Sequence, residues 1–296
     1  MTHALWIMLI ASLVAASCGF IGCFLILRRM AMLGDAISHA VLPGIVVAFL
    51  VSNSMESITM LIGASIVGVL TSLIIQTLGT GGVQSDAAIG VTFTSLFAIG
   101  VVLVSMYASS VHLDVQHVLY GEIAYAPWET SVLFGLEMPH AVWMMGGVFI
   151  LTLFVVLLLY KEIKLVSFDA QMAAAVGIPV LFIHYVLMVL VSLNTVAAFE
   201  SVGAILVVAM LVVPGATAYL LTDRLSVMLG LSVVVGIISA LAGYELAAWF
   251  DVSISGSMAT VAGILFAFAF LFSPRYGIIS KVISRRTLAH KKESAR

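Results

Sequence analysis

Asp35 and His39 stand where a bilayer interior normally admits only apolar side chains. They lie in RRMAMLGDAISHAVLPG, residues 28–44, a stretch that opens on two arginines and closes on Pro43–Gly44. A carboxylate at membrane depth costs roughly 2.5–3.5 kcal/mol or more, which marks it as a functional candidate. Four residues apart, Asp35 and His39 share one face of a helix, with Ser38 beside them. Pro43 has no N–H to offer the carbonyl four residues back, which belongs to His39. The stretch therefore offers a carboxylate, an imidazole and a freed carbonyl oxygen. That set suits a divalent cation better than an organic substrate.

The elements that position this pair are membrane spans. Of 296 residues, 63% are hydrophobic and 9% charged, where a soluble domain carries about 25% charged residues. Apolar runs near the ~20 residues that a spanning helix needs occur nine times: about 4–27, 34–52, 58–78, 87–107, 141–160, 179–198, 201–221, 226–248 and 258–273. The N-terminal run lacks a basic lead and a small-residue cleavage site, so it reads as a true span. The remaining stretch, 108–140, mixes Tyr120, Tyr125 and Trp128 with acids and histidines and reads as surface helices or a partly re-entrant segment. Cys18 and Cys23 read as small packing residues.

With nine spans and the N-terminus outside, all 12 lysines and arginines fall on the inner face, as the positive-inside rule requires. The outer face then holds Glu56, Asp114, Glu122, Glu129, Glu137, Glu200 and Asp251 and no basic residue, a surface that concentrates cations locally. The seventh span repeats the proline–glycine feature of the second, with Pro214–Gly215 at a depth similar to Pro43–Gly44. Interrupted helices in two halves of a chain point to a transport site. Between spans five and six, KEIKLVSFDAQMAAAVGIP predicts a short helix at about 167–178, entered at Phe168–Asp169 with Asp169 near the N-cap and closed by Gly177.

Four stretches carry a family resemblance: RRMAMLGDAISHAVLPG, SDAAIGVTFTSLFAIGVVLVSMY, LVSFDAQMAAAVGI and SVGAILVVAMLVVPGATAYLLTDR. Together they resemble the permease subunits of the zinc, manganese and iron ABC importers, over nearly the whole chain from about Met8 to Arg275. The resemblance implies an all-α integral membrane protein of eight to nine spans, similar to the cobalamin-importer permease, a type II importer fold. It implies a permease domain over 1–275 and a basic cytoplasmic tail over 276–296. It implies a homodimer around one central pathway in the cell membrane, with ATPase subunits below and an extracytoplasmic metal-binding protein above. No permanently bound cofactor and no nucleic acid enter this picture; the cargo is Mn2+, Zn2+ or Fe2+. Residue by residue, Asp35 and His39 stand where the family contacts the passing cation. Phe168 to Gly177, with Ala173 and Ala174, resembles the helix that couples to the ATPase. Glu200, in FESVG, stands where many manganese-type members carry an acid and is a subsidiary metal candidate.

Two other functions use the same residues. An intramembrane metalloenzyme needs more than this chain shows, since H-E-x-x-H is absent and no second histidine lies within two turns of His39. A self-sufficient ion-coupled transporter generally carries more buried ionisable groups than Asp35, His39 and Glu245. The chain holds no G-x-x-x-x-G-K-[ST], so an ATP-driven mechanism requires a separate ATPase. With carboxylate and carbonyl oxygens and no thiolate near Asp35, manganese is favoured over a thiol-seeking metal. The orientation is open to test. A reporter fused after Arg296 should read cytoplasmic and a tag before Thr2 external; both ends on one side would remove one of the nine spans.

Overall fold

A computed structural model of the chain describes residues 3–52, 57–107, 123–133, 136–273 and 277. Among these, nine helical segments are long and apolar enough to cross a membrane. In chain order they are α1 (His3–Leu27), the pair α2 (Met32–Ala40) and α3 (Leu42–Ser52), α4 (Ser57–Thr80), α5 (Ser85–Tyr107), α6 (His140–Leu158), α9 (Val180–Val202), α10 (Ala204–Leu221), α11 (Leu225–Phe250) and α12 (Ile254–Phe272). Two short helices, α7 (Tyr160–Phe168) and α8 (Ala170–Ala175), join α6 to α9. All nine predicted spans are present. The outer residues Glu56, Asp114 and Glu122, and the basic tail apart from Gly277, lie outside the described residues.

The bundle is built around α1, which is largely buried and packs against α11, α10, α6 and α9. Lipid gives apolar helices no hydrophobic reason to meet, so association relies on small residues that let backbones approach. Gly22 of α1 sits so close to α10 that a Cβ there would lie 1.8 Å from the Leu211 carbonyl oxygen. Gly19 faces Pro214 of α10 and Ser232 of α11, whose hydroxyl donates to the Gly19 carbonyl at 3.1 Å. Cys18 and Cys23 are free thiols buried in this hub, as their packing role predicts. Polar contacts add to it. The Asn194 amide on α9 accepts from the Ser17 hydroxyl of α1 and donates to Thr152 Oγ1 of α6 and to the Leu190 carbonyl, each at 2.7 Å. The amide thus satisfies both its N–H groups and its oxygen while tying three spans together.

The ends of the helices follow from local chemistry. Arg29 adopts φ 58° just past α1, a left-handed position usually given to glycine. Its N–H donates to the Ile26 carbonyl and that of Met30 to Leu25, which closes the helix end. Gly177, at φ 88°, ends α8 with the same pair of bonds, to Ala174 and Ala173. A single residue, Gly203 at φ 79°, joins α9 to α10. The part of the mixed stretch that is described is neither a surface helix nor a re-entrant segment. Ala126–Trp128 forms one 3-10 turn, followed by an antiparallel hairpin in which Thr130 faces Pro139 and Val132 faces Glu137. Pro127 and Pro139 leave no room for a longer helix, and the β-branched residues between them favour strands. His3 Nε2 meets the Ala124 carbonyl at 2.9 Å, so the start of α1 lies on the hairpin's face of the bundle.

The glycine contacts make a comparison possible within one chain. Gly22→Val should lower the melting temperature of the detergent-purified protein by several degrees, since overpacking costs roughly 1–3 kcal/mol. Gly146→Val should leave it nearly unchanged, because no atom lies within 4 Å of a Cβ at Gly146. Equal melting of the two variants would contradict the described α1–α10 contact.

Candidate cation site in the interrupted second span

The second span is broken. α2 ends at Ala40, Val41 forms the joint and α3 begins at Leu42. The break precedes Pro43, which sits in the first turn of α3, where helix N–H groups lack intrahelical partners in any case. Across the joint, the Val41 N–H donates to the Ile37 carbonyl and the Ile45 N–H to the Val41 carbonyl. Pro43 rests on α5, where a Cβ at Gly100 would lie 2.9 Å from its Cδ. Gly44 packs on Gly63 of α4, 2.5 Å from its carbonyl by the same measure. These two glycine contacts let α3 lie against both neighbours.

Asp35 and His39 come together as their spacing predicts. His39 Nε2 is 3.5 Å from Asp35 Oδ1, with 31% of the His39 and 34% of the Asp35 side chain exposed. Two ligands about 2.1 Å from one ion lie about 3.0–3.5 Å apart, depending on octahedral or tetrahedral geometry. The pair is thus already spaced as a two-tooth bite, and its partial exposure leaves it open to an incoming ion. Ser38 does not join it. That side chain is buried and its hydroxyl donates to the Gly34 carbonyl at 2.9 Å.

The other predicted residues fall elsewhere. Glu200 is exposed in the last turn of α9, twenty residues after the helix starts at Val180. At 1.5 Å per residue that is about 30 Å along the span, whereas His39 lies about 10 Å along α2. α2 and α9 both start from the face where the arginines after α1 lie, so Glu200 is not part of the Asp35–His39 pair. Among the described residues no group of three or more His, Cys, Asp or Glu could hold a metal ion. Pro214 and Gly215 do not interrupt their span as predicted. Pro214 lies inside continuous α10, and both residues are buried against α1, Pro214 at Gly19 and Gly215 at Cys23 and Ile26. His184 is buried at the start of α9, edge-on to Tyr185. Arg28, just past α1, is half-buried, and burial lowers its pKa below the usual arginine value.

The predicted short helix is present but shorter, and its entrance is different. Phe168 belongs to the end of α7, a separate helix that precedes the cap, rather than to the entrance of the predicted one. Asp169 then caps α8, its Oδ1 accepting from the Met172 N–H at 2.9 Å. Ala173 is fully buried against its own chain, while Phe168, Met172, Ala174, Ala175 and Val176 are exposed.

The comparisons with known proteins agree with this architecture. Residues 1–273 match the ABC 3 transport family. The chain belongs to that family. It is 57% identical over 296 residues, the full length of both, to the manganese transport system membrane protein MntD of Bacillus subtilis (strain 168). It is 42% identical over 283 residues to the zinc transport system membrane protein TroD of Treponema pallidum (strain Nichols), covering 95% of this chain and 77% of that one. Among solved structures, PsaBC from Streptococcus pneumoniae in complex with Fab shares 35% identity and a TM-score of 0.78, over 93% of this chain and 94% of that chain. The family's fold is the polytopic helical bundle described above.

Asp35→Ala or His39→Ala should reduce manganese uptake by cells to background while the protein still accumulates in the membrane at wild-type level. Wild-type uptake by the double variant would remove these residues from the pathway.

Proposed function

We propose that this chain is the membrane-spanning permease of a binding-protein-dependent ABC importer that moves a divalent transition metal ion into the cytoplasm. The observation that carries the reading is the Asp35–His39 bite, about one-third exposed beside a break in an apolar span, in a chain of a transport family. Manganese is the favoured cargo. Carboxylate and carbonyl oxygens without a thiolate suit it, while imidazole suits zinc and iron as well, and a relative 57% identical is named for manganese transport. Zinc and iron are the alternatives, zinc on the strength of a relative 42% identical. One chain supplies two side-chain ligands, so the remaining positions on the ion are filled by water, by backbone carbonyl oxygens or by the same pair from a second copy across a two-fold axis. A site with so few protein ligands holds its ion weakly, which favours release over storage.

In this reading the permease domain covers 1–275 and the segment 276–296 is a basic cytoplasmic tail, with the N-terminus outside. Glu200 sits near the outer end of α9 and serves arrival or outer closure rather than the central pair. The chain itself is not an enzyme; ATP is hydrolysed on separate subunits that dock at α8. Met172 and Val176, one turn apart in α8 and its C-cap, expose 56% and 67% of their surfaces, and Phe168 at the end of α7 exposes 57%, three apolar side chains suited to a protein cleft.

The docking test uses the exposed positions and spares Ala173. Met172→Glu combined with Ala174→Arg should abolish manganese uptake and release the ATPase from the purified complex, with the permease still inserted. Normal uptake by that variant would overturn docking at α8, and uptake by the permease in vesicles lacking any ATPase would overturn the importer reading in favour of an ion-coupled transporter.

A further inference from the structure

The stretch SDAAIGVTFTSLFAIGVVLVSMY contributes to the family resemblance, yet only its Gly100, as the seat of Pro43, carries a role in the reading above. It forms α5, and α5 is the helix against which α2 packs most extensively. Two of its residues, Phe93 and Phe97, are one turn apart and share a face. Both rings reach His39. The Phe93 ring centre lies 6.0 Å from that of the imidazole at an interplanar angle of 36°, and the Phe97 ring centre lies 6.1 Å away at 82°. Both separations fall within the range where aromatic rings attract, the second in edge-to-face geometry. On a third side the imidazole meets Asp35. The ring is therefore confined on all but the side that remains exposed.

We propose that Phe93 and Phe97 are positioning residues that hold the His39 imidazole in its metal-binding orientation. The inference rests on the proposed role of His39. A histidine free to rotate must be ordered when it binds, and ordering one side chain costs about 0.5–1.5 kcal/mol, or about two- to twelvefold in affinity. Two rings packed on the imidazole meet that cost during folding. The ion then encounters a bite already set at 3.5 Å. The rings make no bond to the ion themselves. The two rings also shield part of the imidazole from water, while 31% of the side chain stays exposed.

The test is Mn2+ binding to the purified permease–ATPase complex without its binding protein, read from loss of the free-ion EPR signal. Phe93→Leu with Phe97→Leu keeps the segment apolar and helical but removes both rings. This variant should weaken Mn2+ binding about two- to tenfold while its melting temperature stays that of the wild type. Phe93→Tyr with Phe97→Tyr retains the rings and should bind within about twofold of the wild type. Unchanged binding by the leucine variant would overturn the proposal. So would loss of that variant from the membrane or early melting, which would assign the rings to packing alone. Absence of Mn2+ binding by the wild type up to about a millimolar would overturn it as well, because a pre-set bite must hold the ion at some concentration. His39→Ala distinguishes this from failure of the underlying reading. If that variant binds Mn2+ as the wild type does, His39 is not a ligand. If it does not bind while the leucine variant binds normally, His39 stands and the clamp falls.

Discussion

Two apolar helices in hydrocarbon gain nothing by hiding from it, because lipid tails are as apolar as leucine. The bundle must therefore be held by close backbone approach and by polar groups that find partners only in one another. α1 supplies the first through Gly19 and Gly22, which bring α10 and α11 within van der Waals contact. Asn194 supplies the second by joining α1, α6 and α9 through bonds whose loss would strand polar groups in a medium without water. Everything else hangs on that hub. α2 reaches it through Gly34, whose Cβ position would meet the Leu211 side chain, so the residue that abuts Gly22 also sets the seat of the helix carrying Asp35.

The same constraint bears on why the Asp35–His39 pair sits beside a break. A continuous helix satisfies its own backbone and presents only side chains to a pathway. An interruption within protein lets backbone oxygens contribute, and it lets one half of a span tilt independently of the other. α2 is nine residues and α3 eleven, each too short to cross a bilayer alone. Their stability comes from neighbours, through Pro43 on Gly100 and Gly44 on Gly63. The site is thus held by tertiary contacts rather than by the helix that bears it.

Much of this was legible beforehand. Nine apolar runs were visible because a span must be long, and its residues are contiguous in sequence. Asp35 and His39 were visible because charge is costly at that depth and because four-residue spacing needs only helix geometry. The features that escaped depend on contacts distant in sequence. Phe93 and Phe97 look like ordinary membrane filler until α5 is laid against α2. Asn194 looks like a single tolerated polar residue until Ser17 and Thr152 arrive beside it. Proline was a mixed signal. Pro43 marks the interruption to within two residues: Val41 keeps helical dihedrals between α2 and α3, and the proline sits in the first turn of α3. Pro214 was read as a second interruption, whereas the room left by Gly19 lets α10 carry it without breaking. The hairpin at Thr130–Pro139 was missed because eight-residue strand pairs lack the long period that makes spans conspicuous.

Asp169 has a mechanical consequence. Its N–H donates to the Leu165 carbonyl and finishes α7, while its carboxylate accepts from Met172 and starts α8. One residue thus belongs to two rigid rods, with no slack chain between them. At the other end of α7 the only spacer from α6 is Leu159, itself bonded to the Val155 carbonyl. The three helices form a bell-crank: a push on α8 is delivered to a membrane span through two single-residue pivots. A linkage of that kind has little backlash, so in the proposed assembly a small stroke by the ATPase would reach the bilayer instead of being absorbed by a flexible loop.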